Sequence, residues 1–311
     1  MIAFRVFALA VAFAMCICGN DVGIGFSYTA RSNASEKRSS VPPGARTTDA
    51  LLFDNKIPQK FNEFSHFRPD KRWLVGNEIK HHPWAYIAYA EANWGAYDKE
   101  NERCTAVIIE KNIAITAGHC VYRHRPCRTG FCGLAKQLTL APGFQNGWAP
   151  CGSFTSESIY PTIEFMMNES DLKNDYAFVR FREDIGARCY QNFKYGRLRI
   201  NYNPVFYLNN IIAIAGYPHV ALRQPSKEAW VDQGTVRSEK LQIRGGLLRY
   251  VTGASPGQSG SPILLFQNGQ WTLVGIHARG APKYGTANVG PYFGGAIGRD
   301  IRSWLAQHGT H

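Results

Sequence analysis

An all-β sandwich or barrel is the fold class this sequence predicts. Short β-branched or aromatic runs recur along it, clusters of Gly, Pro and Asn punctuate them, and no regular alternation of strands with helices accompanies them. The runs are Ala106–Ile109, Ile113–Thr116, Tyr176–Phe181, Ile211–Ala215, Leu247–Thr252, Ile263–Phe266 and Trp271–Ile276. With 311 residues the chain is long enough for one or two domains with a well-buried core.

From the N-terminus, Arg5 precedes the apolar run Val6–Cys18, which is too short for an ordinary membrane span and reads as a signal peptide over residues 1–19. No later segment is long and apolar enough to span a membrane, so the expectation is a secreted protein, extracellular or periplasmic. Residues 20–72 are rich in Ser, Arg, Pro and Asn, with Ser35–Arg46 resembling a solvated linker. They end at the dibasic pair Lys71-Arg72, which suggests a removable pro-segment; a disordered arm that stays attached is the plainer alternative. A continuous strand-rich body follows from Trp73. Within it, Asn268-Gly269 between two apolar runs predicts a tight hairpin, since both residues tolerate positive φ. Near the end, Ile297, Ile301, Trp304 and Leu305 fall at helical spacing, and Gly309 is a plausible stop. The predicted helix covers about 297–307.

The formal net charge is +12, which raises the question of nucleic acid. The Lys and Arg residues are scattered, however, and carry no stripe, zinc-finger or RNA-binding signature. A basic surface that keeps a secreted protein soluble is the simpler reading. Losing the leader removes Cys16 and Cys18 and leaves Cys104, Cys120, Cys127, Cys132, Cys151 and Cys189. An even set in an exported protein suggests three disulfides, with 15 possible connectivities. No CxxC pair exists, so zinc is disfavoured and no metal or other cofactor is expected.

Three segments carry chemistry. Ile113–Cys120 runs a strand into small residues and presents His119 beside a Cys. Asn174–Val179 places Asp175 at the entry of a buried strand, where a carboxylate needs partners such as an imidazole N–H. Ser255–Pro262 holds Ser259 between glycines, in a loop where the N–H groups of Gly257 and Ser259 can converge on an oxyanion. Each segment alone is ambiguous. Together they supply a nucleophile (Ser259), a base that accepts and returns its proton (His119) and a carboxylate that holds the tautomer (Asp175). Chain order excludes the α/β-hydrolase alternative: Ser261 stands where G-x-S-x-G needs its last Gly, and the downstream Asp300 and His308 fall in the C-terminal helix.

Thr116-Ala117-Gly118-His119-Cys120, Asn174-Asp175-Tyr176-Ala177 and Gly257-Gln258-Ser259-Gly260-Ser261-Pro262 resemble the signature blocks of trypsin-like serine proteases. Cys104-Thr105, Val121-Tyr122, Ala215-Gly216-Tyr217-Pro218 and Val274-Gly275-Ile276-His277 are similar to the bacterial glutamyl endopeptidase branch. The resemblance covers roughly Val75 to Leu305. It implies two six-stranded antiparallel β-barrels of the chymotrypsin type, the first over about 73–200 and the second over about 201–296. It also implies a Cys104–Cys120 disulfide. Cys127–Cys132 and Cys151–Cys189 are guesses at the remaining pairs.

For specificity, the family position six residues before the nucleophile is Gly253, which disfavours cleavage after Lys or Arg. His277 matches the pocket histidine that binds an acidic P1 side chain, and a charge-assisted bond to a carboxylate suits it. Thr252, Ala254 and Gly280 complete the expected substrate-binding set. Ala254 departs from the branch, where a Thr supplies a second hydrogen bond; Ser255 or Thr252 is the available substitute. Arg279 either favours acidic substrates or faces water. In that branch the mature N-terminus also contributes to the pocket, which makes processing near Trp73 an activation step. The expectation is thus a monomeric endopeptidase acting on proteins or peptides, with no nucleic-acid or membrane partner. A non-catalytic binding protein on a protease scaffold is the alternative.

Overall fold

A computed structural model describes residues 72–95, 101–127, 130–190, 198–206, 210–221, 224–225, 228–235, 241–280 and 287–309. The expected leader, and the expected pro-segment up to Lys71, lie outside the described residues. The body opens with β1 (Trp73–Leu74), followed by β2 (Ile87–Asn93), β3 (Glu102–Glu110), β4 (Ile113–Thr116) and the hairpin β5 (Tyr122–Cys127) with β6 (Gly130–Leu134). Next come β7 (Gln137–Pro142), β8 (Phe154–Pro161), the short helix α1 (Ile163–Met167), β9 (Ala177–Phe181) and α2 (Ile185–Tyr190). Six of these strands close an antiparallel barrel in the order β2-β3-β4-β9-β8-β7. Its interior follows from composition: Ile113–Thr116 is buried at every position, as are Ala106, Val107, Ile115, Val179 and Phe181. Barrel closure leaves no open edge among these strands, so every ladder position finds a neighbour.

The second half contains β10 (Ile211–Gly216), β11 (His219–Ala221), β12 (Gln224–Pro225), β13 (Trp230–Thr235), β14 (Leu241–Arg244) and β15 (Leu247–Tyr250). It continues through β16 (Pro262–Gln267), β17 (Gln270–Ile276), β18 (Asn288–Pro291) and the C-terminal helix α3 (Gly295–His308). Its strands form a five-stranded sheet, β1-β13-β10-β16-β17, and a three-stranded sheet, β14-β15-β18. The bridges Gly275↔Tyr292 and Arg279↔Val289 link the strands of the two sheets. Where the resemblance implies a second six-stranded barrel, the described residues thus form two sheets over a shared core. That core reads directly from period-2 alternation. Ile212, Ile214, Ile263, Leu265 and Val274 of the larger sheet meet Leu248 and Tyr250 of the smaller one. The intervening Ala213, Ala215, Leu264 and Leu273 turn to the main core, shared with the first barrel.

The predicted strands all appear, with their ends moved by a few residues. Asn268 (φ 52°) and Gly269 (φ 75°) make the β16–β17 turn, with Gln267 opposite Gln270. The predicted helix is α3; it buries Ile297 and Ile301, stacks Trp304 on Phe178 of β9 at 4.0 Å between ring centres, and stops before Gly309. The strand that begins the body does not join the first barrel: Trp73 and Leu74 pair with Val231 and Trp230 of β13. Among the described residues no helix is long and apolar enough to cross a membrane.

Candidate active site

β4 delivers His119. The strand ends at Thr116, Ala117 stays extended, and Gly118–Cys120 forms a single tight turn. A disulfide from Cys120 to Cys104 of β3 pins that turn, with 2.02 Å between the sulfurs. Asp175 follows a second tight turn, Leu172–Asn174, just before β9. Because β9 pairs with β4, with Thr116 opposite Ala177, the two turns emerge side by side. Asp175 is fully buried, whereas the His119 side chain keeps 17% exposure. Asp175 Oδ1 accepts the His119 backbone N–H at 2.9 Å, and Oδ2 lies 2.9 Å from His119 Nδ1. Burial pushes the Asp175 carboxyl up, but the His119 charge and hydrogen bonds, helped by Arg279, outweigh it and hold the group below its ordinary range.

The loop Ser255–Ser261 carries the expected nucleophile. From Gly257 to Ser261 only Ser259 retains solvent exposure. Gly257 (φ 91°) and Gly260 (φ 82°) occupy the left-handed region that favours glycine. A Cβ on Gly260 would stand 2.0 Å from the Thr105 carbonyl oxygen and 3.0 Å from Ala117 N, so the loop passes directly over the strands that present His119. Thr105, the residue after Cys104, ties the loop down. Its N–H donates to Ser259 O at 2.8 Å, and its hydroxyl donates to Gly257 O at 3.1 Å and accepts from Tyr217 N at 2.9 Å. The Gln258, Gly260 and Ser261 N–H groups each bond a backbone carbonyl. Among the described residues those of Gly257 and Ser259 do not, which leaves two backbone donors on either side of Gln258 in this loop.

The specificity candidates lie beside this loop. Gly260 N–H donates to His277 O at 2.7 Å, and His277 N–H donates to Ser261 O at 2.8 Å. His277 is buried, and its Nδ1 is hydrogen-bonded to the Tyr250 hydroxyl. Burial raises the Tyr250 phenol well above its usual value, which keeps it protonated. Ala254 is buried and offers no side-chain donor. Of the two substitutes, Ser255 Oγ accepts from Arg72 Nη1, whereas the buried Thr252 Oγ1 has no hydrogen-bond partner among the described residues. Gly280 is partly exposed at the end of the same segment.

Several residues escape sequence reasoning. Thr105 is silent because a buried threonine on a strand is ordinary. Gln258 turns inward, and its Oε1 accepts from Ser255 N at 3.0 Å and from Arg72 Nη1 at 3.1 Å. Arg72, which the dibasic pair suggests belongs to an exposed junction, is only 2% exposed. Buried Asp232 accepts from Gly253 N. Arg279 turns toward the triad candidates: its Nη2 lies 3.7 Å from Asp175 Oδ2, with its side chain 20% exposed. Nothing in the sequence marks the contacts of Arg72 and Arg279, because they join segments far apart in the chain.

Cys151–Cys189 is also bonded, as guessed, while the Cys127 and Cys132 side chains lie outside the described residues. Cys104, His119 and Cys120 present three metal-ligating atoms within 4.8 Å of one another, but two of the sulfurs are bonded to each other. That set therefore offers one ligand, too few to hold a metal.

The closed barrel thus holds His119 on a buried Asp175, and the Ser259 loop passes over the strands that present His119. The chain belongs to the trypsin-like peptidase family, whose domain matches residues 104–276. It is 25% identical over 205 residues to an extracellular metalloprotease of Bacillus subtilis, covering 66% of this chain and 58% of that protein. It is 22% identical over 240 residues to a glutamyl endopeptidase of Bacillus licheniformis, covering 76% and 67%. The chain thus spans less than two thirds of the first of these relatives. Among solved structures, a Glu endopeptidase in complex with MPD superposes with a TM-score of 0.60 at 26% identity, over 78% of this chain and 99% of that one. The protease Anisep from Arthrobacter nicotinovorans shares the fold with a TM-score of 0.55 at 18% identity, over 71% and 96%.

Proposed function

We propose that this chain is a secreted serine endopeptidase with His119, Asp175 and Ser259 as its triad. The observation that carries the reading is the buried Asp175 held on His119 Nδ1 in the same unit that ties the Ser259 loop to Thr105. With Nδ1–H donated to Asp175, Nε2 is left as the acceptor for the Ser259 proton. Ser259 Oγ then attacks the scissile carbonyl carbon, and the oxyanion is received by the Gly257 and Ser259 N–H groups. His119 passes the proton to the leaving amine, the acyl-enzyme forms, and water reverses the sequence to regenerate Ser259.

For the P1 residue we propose an acidic preference, Glu or Glu and Asp. Tyr250, donating its O–H to His277 Nδ1, selects the tautomer with hydrogen on Nε2, which is the donor a carboxylate accepts. Thr252 Oγ1 is the second donor. Residues 1–19 are the leader, and the segment that follows is removed. The burial of Arg72 against Ser255 and Gln258 favours a cut on the N-terminal side of Arg72, so that the mature chain keeps this side chain.

Treating secreted protein with an active-site phosphonate, sequencing its N-terminus and profiling P1 in a peptide library tests each part. The expected results are labelling at Ser259, Arg72 retained, and cleavage after Glu that weakens in His277→Ala. Folded, processed protein that takes no label would make the chain a binder on a protease scaffold. Cutting mainly after Lys, Arg or Phe would overturn the acidic pocket.

A further inference from the structure

Arg279 lies on the segment after β17, where its backbone bonds Val289 in both directions at 3.0 Å. The trypsin-like mechanism gives this position no part in the triad, yet its guanidinium stands over the buried Asp175. Oδ2 of that carboxylate is shared: His119 Nδ1 reaches it at 2.9 Å and Arg279 Nη2 at 3.7 Å. The Arg279 side chain is only 20% exposed, and its Nε is buried without a hydrogen-bond partner among the described residues. The cation is therefore held beside Asp175 by packing, where partial desolvation strengthens its field. Other charged or titratable groups on the elements around the two turns include Asp171, Lys173, Glu164, Tyr176, Tyr122, Arg123 and His124. Arg123 is engaged by Glu102. Among the described residues, His119 and Arg279 are the charges that favour the ionised Asp175 carboxyl.

We infer that Arg279 is a positioning residue of the triad, which keeps Asp175 ionised and competes with the imidazolium of His119 for its charge. This rests on the triad reading above. Two consequences follow. Asp175 stays an acceptor, so the neutral His119 ring keeps its hydrogen on Nδ1. The imidazolium formed during acylation shares its counter-ion with a second cation, which makes it a readier proton donor to the leaving amine. Removing the guanidinium relieves that competition and shifts the balance toward protonated His119.

The test compares wild type, Arg279→Gln and Arg279→Lys on a peptide substrate that is uncharged outside P1. The expected result is that the acid limb of kcat/KM moves to higher pH in Arg279→Gln, by about one pH unit, the scale of a lost neighbouring charge. Arg279→Lys restores most of the wild-type limb, because it keeps the cation. An unmoved limb in folded Arg279→Gln, with only KM changed for substrates acidic beyond P1, would reduce Arg279 to a substrate contact and overturn the proposal. A readout without turnover uses the Ser259→Ala background. A carboxyl held below its ordinary range stabilises the fold above that range, and the stability is lost as pH falls through the depressed value. Arg279→Gln lessens the depression, so acid unfolding begins at higher pH; identical acid unfolding with and without Arg279→Gln in that background would count against the inference. If wild type takes no phosphonate yet acid unfolding still shifts, the protease reading fails while the contact between Arg279 and Asp175 stands.

Discussion

In the first barrel, site residues sit at the ends of paired strands that close on themselves. His119 leaves β4, Asp175 enters β9, and a ladder and a disulfide fix both turns. In the second half, Ser259, His277, Thr252 and Ala254 belong to loops and segments between two sheets. Backbone bonds from Thr105 and Gly260 hold Ser259 and His277, and buried polar side chains hold the rest: Arg72 and Gln258 on Ser255, Asp232 on Gly253, Asn288 on the Thr252 carbonyl. The contrast suggests a division of labour. A closed ladder suits an acid–base pair that must keep one geometry. Hydrogen-bonded loops suit a nucleophile and pocket, whose N–H groups must point at substrate instead of at neighbouring strands. It also explains why a residue before the first strand of the body matters: β1 pairs with β13, so Arg72 enters the second half rather than the first barrel.

Substitutions on either side of this contrast should fail differently. The largest effect is expected from Asp175→Asn, which keeps the shape but inverts the hydrogen-bonding demand on His119. Steady-state turnover should fall by roughly 10⁴ with the fold intact; a loss of only a few-fold would remove Asp175 from the triad. Gly257→Ala comes next. Its φ of 91° and a Cβ 2.5 Å from the Tyr217 carbonyl force the loop to shift. Losing one oxyanion donor costs on the order of 10²–10³ in kcat, and near-normal kcat would show that the donors lie elsewhere. The mildest change in chemistry, though not in stability, is Cys104→Ser with Cys120→Ser. The bridge closes a loop with a sequence separation of 16, so denaturant unfolding should lose about 3 kcal/mol. Activity should survive wherever the protein remains folded, since Asp175 still holds the His119 turn. A larger loss of activity than of stability would mean that the barrel ladder does not hold the pair by itself.

Sequence made much of this legible. Ile113–Thr116, Ala177–Phe181 and the Asn268-Gly269 turn are readable because apolar alternation and positive φ are local demands that each residue states for itself. The three site segments are readable for a related reason: tight turns next to strands need Gly and small residues, and those leave a visible pattern around His119 and Ser259. Arg72, Thr105, Gln258 and Arg279 leave none. Their roles depend on partners such as Ser255, Ser259 and Asp175, which are distant in the chain, and an arginine or glutamine beside a turn looks solvated until its burial is known.

By itself, then, the sequence determined the strands, the hairpin and the C-terminal helix, and it named the residues of the proposed triad, because backbone preference and hydrophobic period act over a few neighbours. Tertiary structure decided which half the first strand joins, which hydroxyl near the pocket is without a partner, and where the guanidinium of Arg279 points. Those are questions of desolvation and charge pairing between segments far apart in the chain, and only the folded arrangement sets which groups are left to meet.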